Sequence, residues 1–291
     1  MPIERIIDRR SRDLGGGLMV GRVLPFRARR MVGPFIFFDH MGPVDLPAGI
    51  PPELDVRPHP HIGLSTVTYL LSGQLTHRDS IGSNQEIRPG EVNWMVAGRG
   101  ITHSERLQHA RARGAHMDGI QTWVALPDGA EESAPDFSHH ADDALPQWQE
   151  DGVSGRLIAG KADGLQAGVR THSPLFYQHW EMAANSRRSI PTGYAERAAY
   201  CAHGEIDIAG TTINAGQMAV ISSRDAVDIH AARPATVLVL GGDPVGERFM
   251  LWNFVSSSKE RLRQAAEDWR QQRMPLPVGD DREFVPMPEQ P

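Results

Sequence analysis

The sequence predicts an all-β protein, two tandem antiparallel β-sandwich or barrel domains followed by one C-terminal helix. Three observations predict it. Short segments rich in Val, Ile, Leu, Thr and aromatics recur between turn signals. The turn formers are plentiful, with 29 Gly and 22 Pro in 291 residues. A strand–glycine–strand pattern in the first half returns in the second.

The strand segments are 34–38 (PFIFF), 66–71 (TVTYLL), 92–96 (VNWMV) and 120–124 (IQTWV). The run 69–75 (YLLSGQL) is echoed at 200–206 (YCAHGEI), and 88–92 (RPGEV) at 214–218 (NAGQM). Their shared order and similar separation favour a duplicated β-domain. The polar stretch 128–143 marks the boundary, with residues 1–130 as an N-terminal domain and 131–291 as a C-terminal one. The helix lies near the end. Ser257 is the expected N-cap with Glu260 in capping-box position. Leu262, Ala265, Ala266 and Trp269 follow at helical spacing, and Pro275 is the expected stop. The Pro-rich acidic tail beyond it reads as a surface strap.

Formal net charge is −6, which argues against nucleic acid as a direct partner. The densest basic cluster, Arg27-Ala28-Arg29-Arg30, reads as a solvated turn. A single cysteine, Cys201, excludes an internal disulfide and fits a reducing compartment. The N-terminus lacks the apolar stretch of a signal peptide, and no segment is apolar for long enough to span a bilayer. The expected location is the cytoplasm.

Two short motifs carry chemistry: His59-Pro60-His61 and His103-Ser104-Glu105. Side chains alternate faces along a strand, so residues i and i+2 point the same way. Two such strands side by side bring three imidazoles and one carboxylate together, a nitrogen–oxygen site for a first-row transition metal. Pro60 removes a backbone donor and places this segment at a sheet edge or strand entry. Pro89-Gly90 is a turn signal before the strand that begins at Glu91. Four ligands leave part of an octahedral ion open to water, substrate or dioxygen. A divalent ion with three neutral imidazoles and one carboxylate keeps a net charge of about +1, which attracts an anionic oxygen such as a phenolate. Ligand type alone admits iron, manganese, nickel, copper or zinc.

The two motifs have the pattern of the cupin superfamily. The runs HPHIG (59–63), TVTYL (66–70), HRDS (77–80), PGEVNWM (89–95) and GITHSE (100–105) resemble more closely the pirin family. So do FFDHMGP (37–43) and WNFVS (252–256). The resemblance covers nearly the whole chain. It implies a bicupin of two jelly-roll domains, with the metal in the N-terminal one. It implies His59, His61, His103 and Glu105 as metal ligands and favours iron(II), with zinc, copper, manganese or nickel as alternatives. It also implies quercetin 2,3-dioxygenase activity, in which O2 opens a flavonol ring and carbon monoxide is released. Glu105 then has a second, catalytic role as acceptor of the substrate 3-hydroxyl proton. The alternative the family offers is a metal- or redox-dependent regulatory protein that binds a transcription factor or metabolic enzyme, its quercetinase activity incidental. A third reading is a metal that merely staples a β-domain.

The general cupin pattern puts a glutamate shortly after the first His pair. Here Ser65 or Thr66 stands there, and the carboxylate moves to Glu105, as in pirins. The second copy has Ile190 and Thr192 in place of the histidine pair and is expected to hold no metal. His203 and His230 read as structural or exposed, and His40 and His77 as structural hydrogen-bonding groups. Phe37, Asp39 and Met41 line either an entrance or the core, and Gln121 and Trp123 pose the same choice. A duplicated chain supplies both halves of a cupin pair, so a monomer is expected.

Overall fold

The computed structural model describes residues 2–14 and 17–289. Met1 of the N-terminal stretch and the last two residues of the tail lie outside the described residues. The chain divides into two compact units. One, the His59 unit, comprises residues 12–20, 41–139 and 245–291; the other, the Cys201 unit, comprises 1–11, 21–40 and 140–244.

The His59 unit includes the strands β1 (Val56–His61), β2 (Leu64–Ser72), β3 (Leu75–Asp79), β4 (Asn84–Ile87), β5 (Val92–Val96), β6 (Ile101–Arg106) and β7 (Ala115–Ala125). One sheet has the order β1-β6-β3-β4, and β5-β2-β7 run side by side in another. β1 is an edge strand, the position Pro60 requires. On it His59 faces His103 and Ile101 faces His61, and a bulge then sets Glu105 opposite Val56. Gly73 joins β2 to β3 at φ +87°, a conformation that favours glycine.

Helix α1 (Gln108–Arg113) was not legible, because six residues are too few to show a 3.6-residue period. Arg111 holds it in place, donating to Asp55 (2.8 Å) and to the Ile50 carbonyl (3.1 Å). The expected C-terminal helix is α2 (Lys259–Arg270). It buries Leu262, Ala265, Ala266 and Trp269 against Ile62 and Phe254. The N-cap is Ser258, whose hydroxyl accepts from the Arg261 N–H, and not Ser257. Ser257 is taken by Glu131, which accepts from its N–H (2.8 Å) and its hydroxyl (3.1 Å). With the cap moved by one residue, Glu260 loses the capping-box position and pairs with Arg263.

The Cys201 unit repeats the plan. Its strands include β8 (Leu175–Met182), β9 (Ser186–Ser189), β10 (Glu196–His203), β11 (Glu205–Ile208), β12 (Thr211–Asn214), β13 (Gln217–Ile221), β14 (Asp228–Ala231) and β15 (Ala235–Gly242). The order β9-β14-β11-β12 reproduces β1-β6-β3-β4, and β13-β10-β15 reproduces β5-β2-β7. Gly204 and Gly216 take φ +76° and +87°, matching Gly73 and Gly90 at +87° and +82°. The echoed segments therefore mark a duplicated cupin fold.

The units do not follow a single cut near residue 130. The N-terminal strand Ile3–Asp8 adds to β13, Ile6 opposite Ala219, and so belongs with the second half of the sequence. Helix α2 and the tail belong with the His59 unit instead of ending the C-terminal domain. In the Cys201 unit Ile190 is fully buried among Val227, Ile229 and other apolar side chains. There too Arg22 grips Asp39 (2.9 and 2.8 Å) and lies over the Phe37 ring at 4.4 Å, so Phe37 and Asp39 belong to a packed cluster. His40 has the structural hydrogen bond expected of it, Nδ1 to the Tyr200 hydroxyl at 2.8 Å. In the His59 unit Met41 is core, packed with Leu70, Leu75 and Met117.

Candidate metal centre

Strand alternation brings the first three expected ligands together. One ring nitrogen each from His59, His61 and His103 forms a group within 4.8 Å. All three residues are buried. Burial lowers the pKa of His59 to about 4 and holds His61 and His103 well below the usual imidazole range. The rings are therefore neutral at physiological pH, the form that ligates metal.

The outer nitrogens of two of them are already committed. His59 Nδ1 is 2.9 Å from the Arg57 carbonyl, and His61 Nδ1 is 3.0 Å from the Asn253 carbonyl. A carbonyl only accepts, so each Nδ1 carries the proton and each Nε2 presents a lone pair. His61 Nε2 lies 3.1 Å from His103 Nε2. With both nitrogens as acceptors, a cation between them would satisfy the two lone pairs. Two nitrogens each about 2.1 Å from one ion, at right angles, would be about 3.0 Å apart. The donor set therefore fits a divalent transition metal.

Glu105 stands outside the 4.8 Å group but is buried beside it on β6. The Thr68 hydroxyl lies 3.4 Å from its Oε1 and 2.8 Å from Gln121 Oε1. Burial pushes the Glu105 carboxyl up against the hydrogen bonds from Thr68 and Gln121. An ion beside it would act the other way, stabilising the carboxylate. Thr68 and Gln121 face each other on β2 and β7, so the site lies between the two sheets of its unit. From β7 Trp123 also sets its ring edge-on to His61, centroids 4.9 Å apart. The choice between wall and core left open for Gln121 and Trp123 thus resolves to contacts with the expected ligands Glu105 and His61. The period-2 pattern contained that information: Gln121 and Trp123 share a face.

The opposite face of β6 explains the tail. His103 and Glu105 point inward, so Thr102, Ser104 and Arg106 point outward. Thr102 donates to the Pro275 carbonyl. Ser104 donates to Asp280 (2.6 Å), and Arg106 grips Asp280 through Nε (2.7 Å) and Nη2 (2.6 Å). The Val285 N–H then donates to the Pro58 carbonyl of β1 at 2.8 Å. The strap expected from composition crosses the backs of β1 and β6. What composition did not show is that it clamps them.

Family models described as Pirin and as Pirin C-terminal cupin domain match residues 17–124 and 177–275. A Pirin-like protein of Caulobacter vibrioides is 53% identical over 288 residues, covering 99% of this chain and 100% of that one. The crystal structure of a quercetin 2,3-dioxygenase from Acinetobacter baumannii matches with a TM-score of 0.91 at 33% identity, covering 99% of this chain and 95% of that one. A bacterial pirin from Escherichia coli in complex with nickel(II) shares the fold, with a TM-score of 0.65 at 19% identity over 82% of this chain and 99% of that one.

Proposed function

Since the chain belongs to the pirin family, we propose that it is a mononuclear metal-dependent dioxygenase acting on flavonol-like aromatics of the quercetin type. One observation carries this reading: three buried imidazoles, one ring nitrogen of each within 4.8 Å of the others, two of them with their outer nitrogens on backbone carbonyls. The likeness to the Acinetobacter enzyme supports the substrate class. In this reading His59, His61 and His103 hold the ion, and Glu105 completes the set. Iron(II) is the ion of this reading. The Escherichia coli pirin structure is a complex with nickel(II), which supports keeping nickel among the ions to be tested.

When bound, the ion supplies positive charge that favours a phenolate over a phenol, and a redox couple for chemistry with O2. The chain's own part is proton handling and exclusion of water. The Glu105 carboxylate, buried beside the three imidazoles, is the acceptor of the substrate 3-hydroxyl proton. Thr68 and Gln121 hold that carboxylate in place. Trp123 shields the His61 side of the site.

Among the described residues no helix is long and apolar enough to cross a membrane. A cytoplasmic monomer completes the reading. The test is anaerobic loading of metal-free protein with iron(II), manganese, nickel, copper or zinc in turn, followed by quercetin and O2. Quercetin loss with stoichiometric carbon monoxide, absent in a His59→Ala, His61→Ala double variant, is the expected result. No turnover with any ion removes the enzymatic reading.

A further inference from the structure

The outer nitrogens of His59 and His61 end on backbone carbonyls, but that of His103 does not. His103 Nδ1 lies 3.4 Å from His77 Nδ1, at the long end of hydrogen-bond range. His77 Nε2 in turn lies 3.0 Å from Asp79 Oδ2. Asp79 is fully buried and fixed on its other side, where Oδ1 accepts from the N–H groups of Ile81 (3.1 Å) and Ser83 (2.9 Å). Phe137 stacks on the His77 ring at 4.5 Å and 16°, which fixes its plane.

With His77 neutral, these contacts fix one set of protons. The Asp79 carboxylate accepts only, so His77 Nε2 carries a proton and donates it. His77 Nδ1 then offers a lone pair. His103 Nδ1 faces that lone pair and carries its own proton, which leaves His103 Nε2 free toward His61. From this we infer that Asp79 and His77 form a relay that sets the tautomer and orientation of His103, and through them the affinity of the site for a divalent metal. The inference rests on the metal-centre reading above. His77 and Asp79 are positioning residues: neither is placed against substrate or ion. Such outer partners commonly account for about 10- to 100-fold in metal affinity.

The relay makes a prediction that packing alone does not. Asp79→Asn keeps its oxygen for the Ile81 and Ser83 N–H groups and turns an amide N–H toward His77 Nε2. That moves the His77 proton to Nδ1, where it opposes the His103 proton. Metal-free full-length protein is titrated with cobalt(II), with affinity from chelator competition and geometry from the d–d absorption band. Asp79→Asn is expected to weaken cobalt binding about 10- to 100-fold and shift the band. Two substitutions at 77 serve as an internal control against misfolding. Asn places an amide oxygen near the former Nδ1 and is expected to retain affinity within about 3-fold. Gln extends its amide toward the former Nε2 position and is expected to lose as much as Asp79→Asn. Equal affinities and spectra for His77→Asn and His77→Gln, or an Asp79→Asn protein matching the parent, overturn the relay while leaving the metal centre intact. Failure of the parent protein itself to bind cobalt overturns the metal-centre reading and the relay with it.

Discussion

Asp280 is the most informative single residue to remove from the tail. It accepts two hydrogen bonds from the Arg106 guanidinium, at 2.7 and 2.6 Å, and one from the Ser104 hydroxyl at 2.6 Å. Arg106 is buried, so water cannot replace what Asp280→Ala takes away. Removing one partner of a buried ion pair costs about 3–5 kcal/mol. Arg106 keeps Glu283 at 3.0 Å and Asp55 at 3.5 Å, and Glu283 is half exposed. We discount the loss to about 2–3 kcal/mol on that account. At about 2–4 °C per kcal/mol, the thermal midpoint falls by roughly 4–12 °C at pH 7. The assay is thermal unfolding of metal-free protein followed by circular dichroism. The pH dependence gives a second check. Burial raises the Asp280 carboxyl, but the hydrogen bonds from Arg106 and Ser104 more than offset this, and it lies below the ordinary value of 3.8. A carboxyl depressed in the folded state contributes stability above its unfolded pKa of about 3.9 and loses it as pH falls through the lower folded value. The gap between parent and variant therefore narrows below about pH 4. A midpoint shift smaller than about 1 °C at pH 7 would refute the strap as a clamp.

Three further outcomes are expected. His61→Ala removes a ligand at the centre of the group and lowers divalent-metal affinity by more than about 100-fold, read as metal content after dialysis. Metal-free protein loses stability as pH falls from about 6.5 toward 4, because the unfolded imidazoles take up protons that buried His59, with a pKa of about 4, does not. The slope is about 1.4 kcal/mol per pH unit for each such imidazole, and denaturant midpoints across that range show it, with His59→Ala flattening the curve. Gly63→Ala forces a Cβ to within 2.0 Å of the Val255 carbonyl oxygen at φ +66°, two residues from His61. It lowers the thermal midpoint and weakens metal binding together, and an unchanged affinity would show that the turn does not set the position of β1.

The amino-acid sequence by itself determined the all-β class, the duplication and the three converging imidazoles. Each rests on local regularity: a period of two along a strand, glycines where φ must be positive, and paired echoes of the same strand–turn unit. The ligand motifs sit on β1 and β6, which the register places side by side, so alternation was enough to aim His59, His61 and His103 inward. Only the tertiary structure decided the rest. The N-terminal strand pairs with β13, more than two hundred residues away, and no local pattern signals such a pairing. Ser257 and Ser258 are indistinguishable as caps until Glu131 claims the first. The tautomers of the ligand rings depend on acceptors remote in the chain, such as Asn253 for His61. His77 becomes a partner of His103 because β3 lies beside β6, with Glu105 opposite His77 and His103 opposite Asp79. Side-chain periodicity tells which face a residue occupies. What meets it across that face depends on long-range packing, which brings together groups that are remote in the chain.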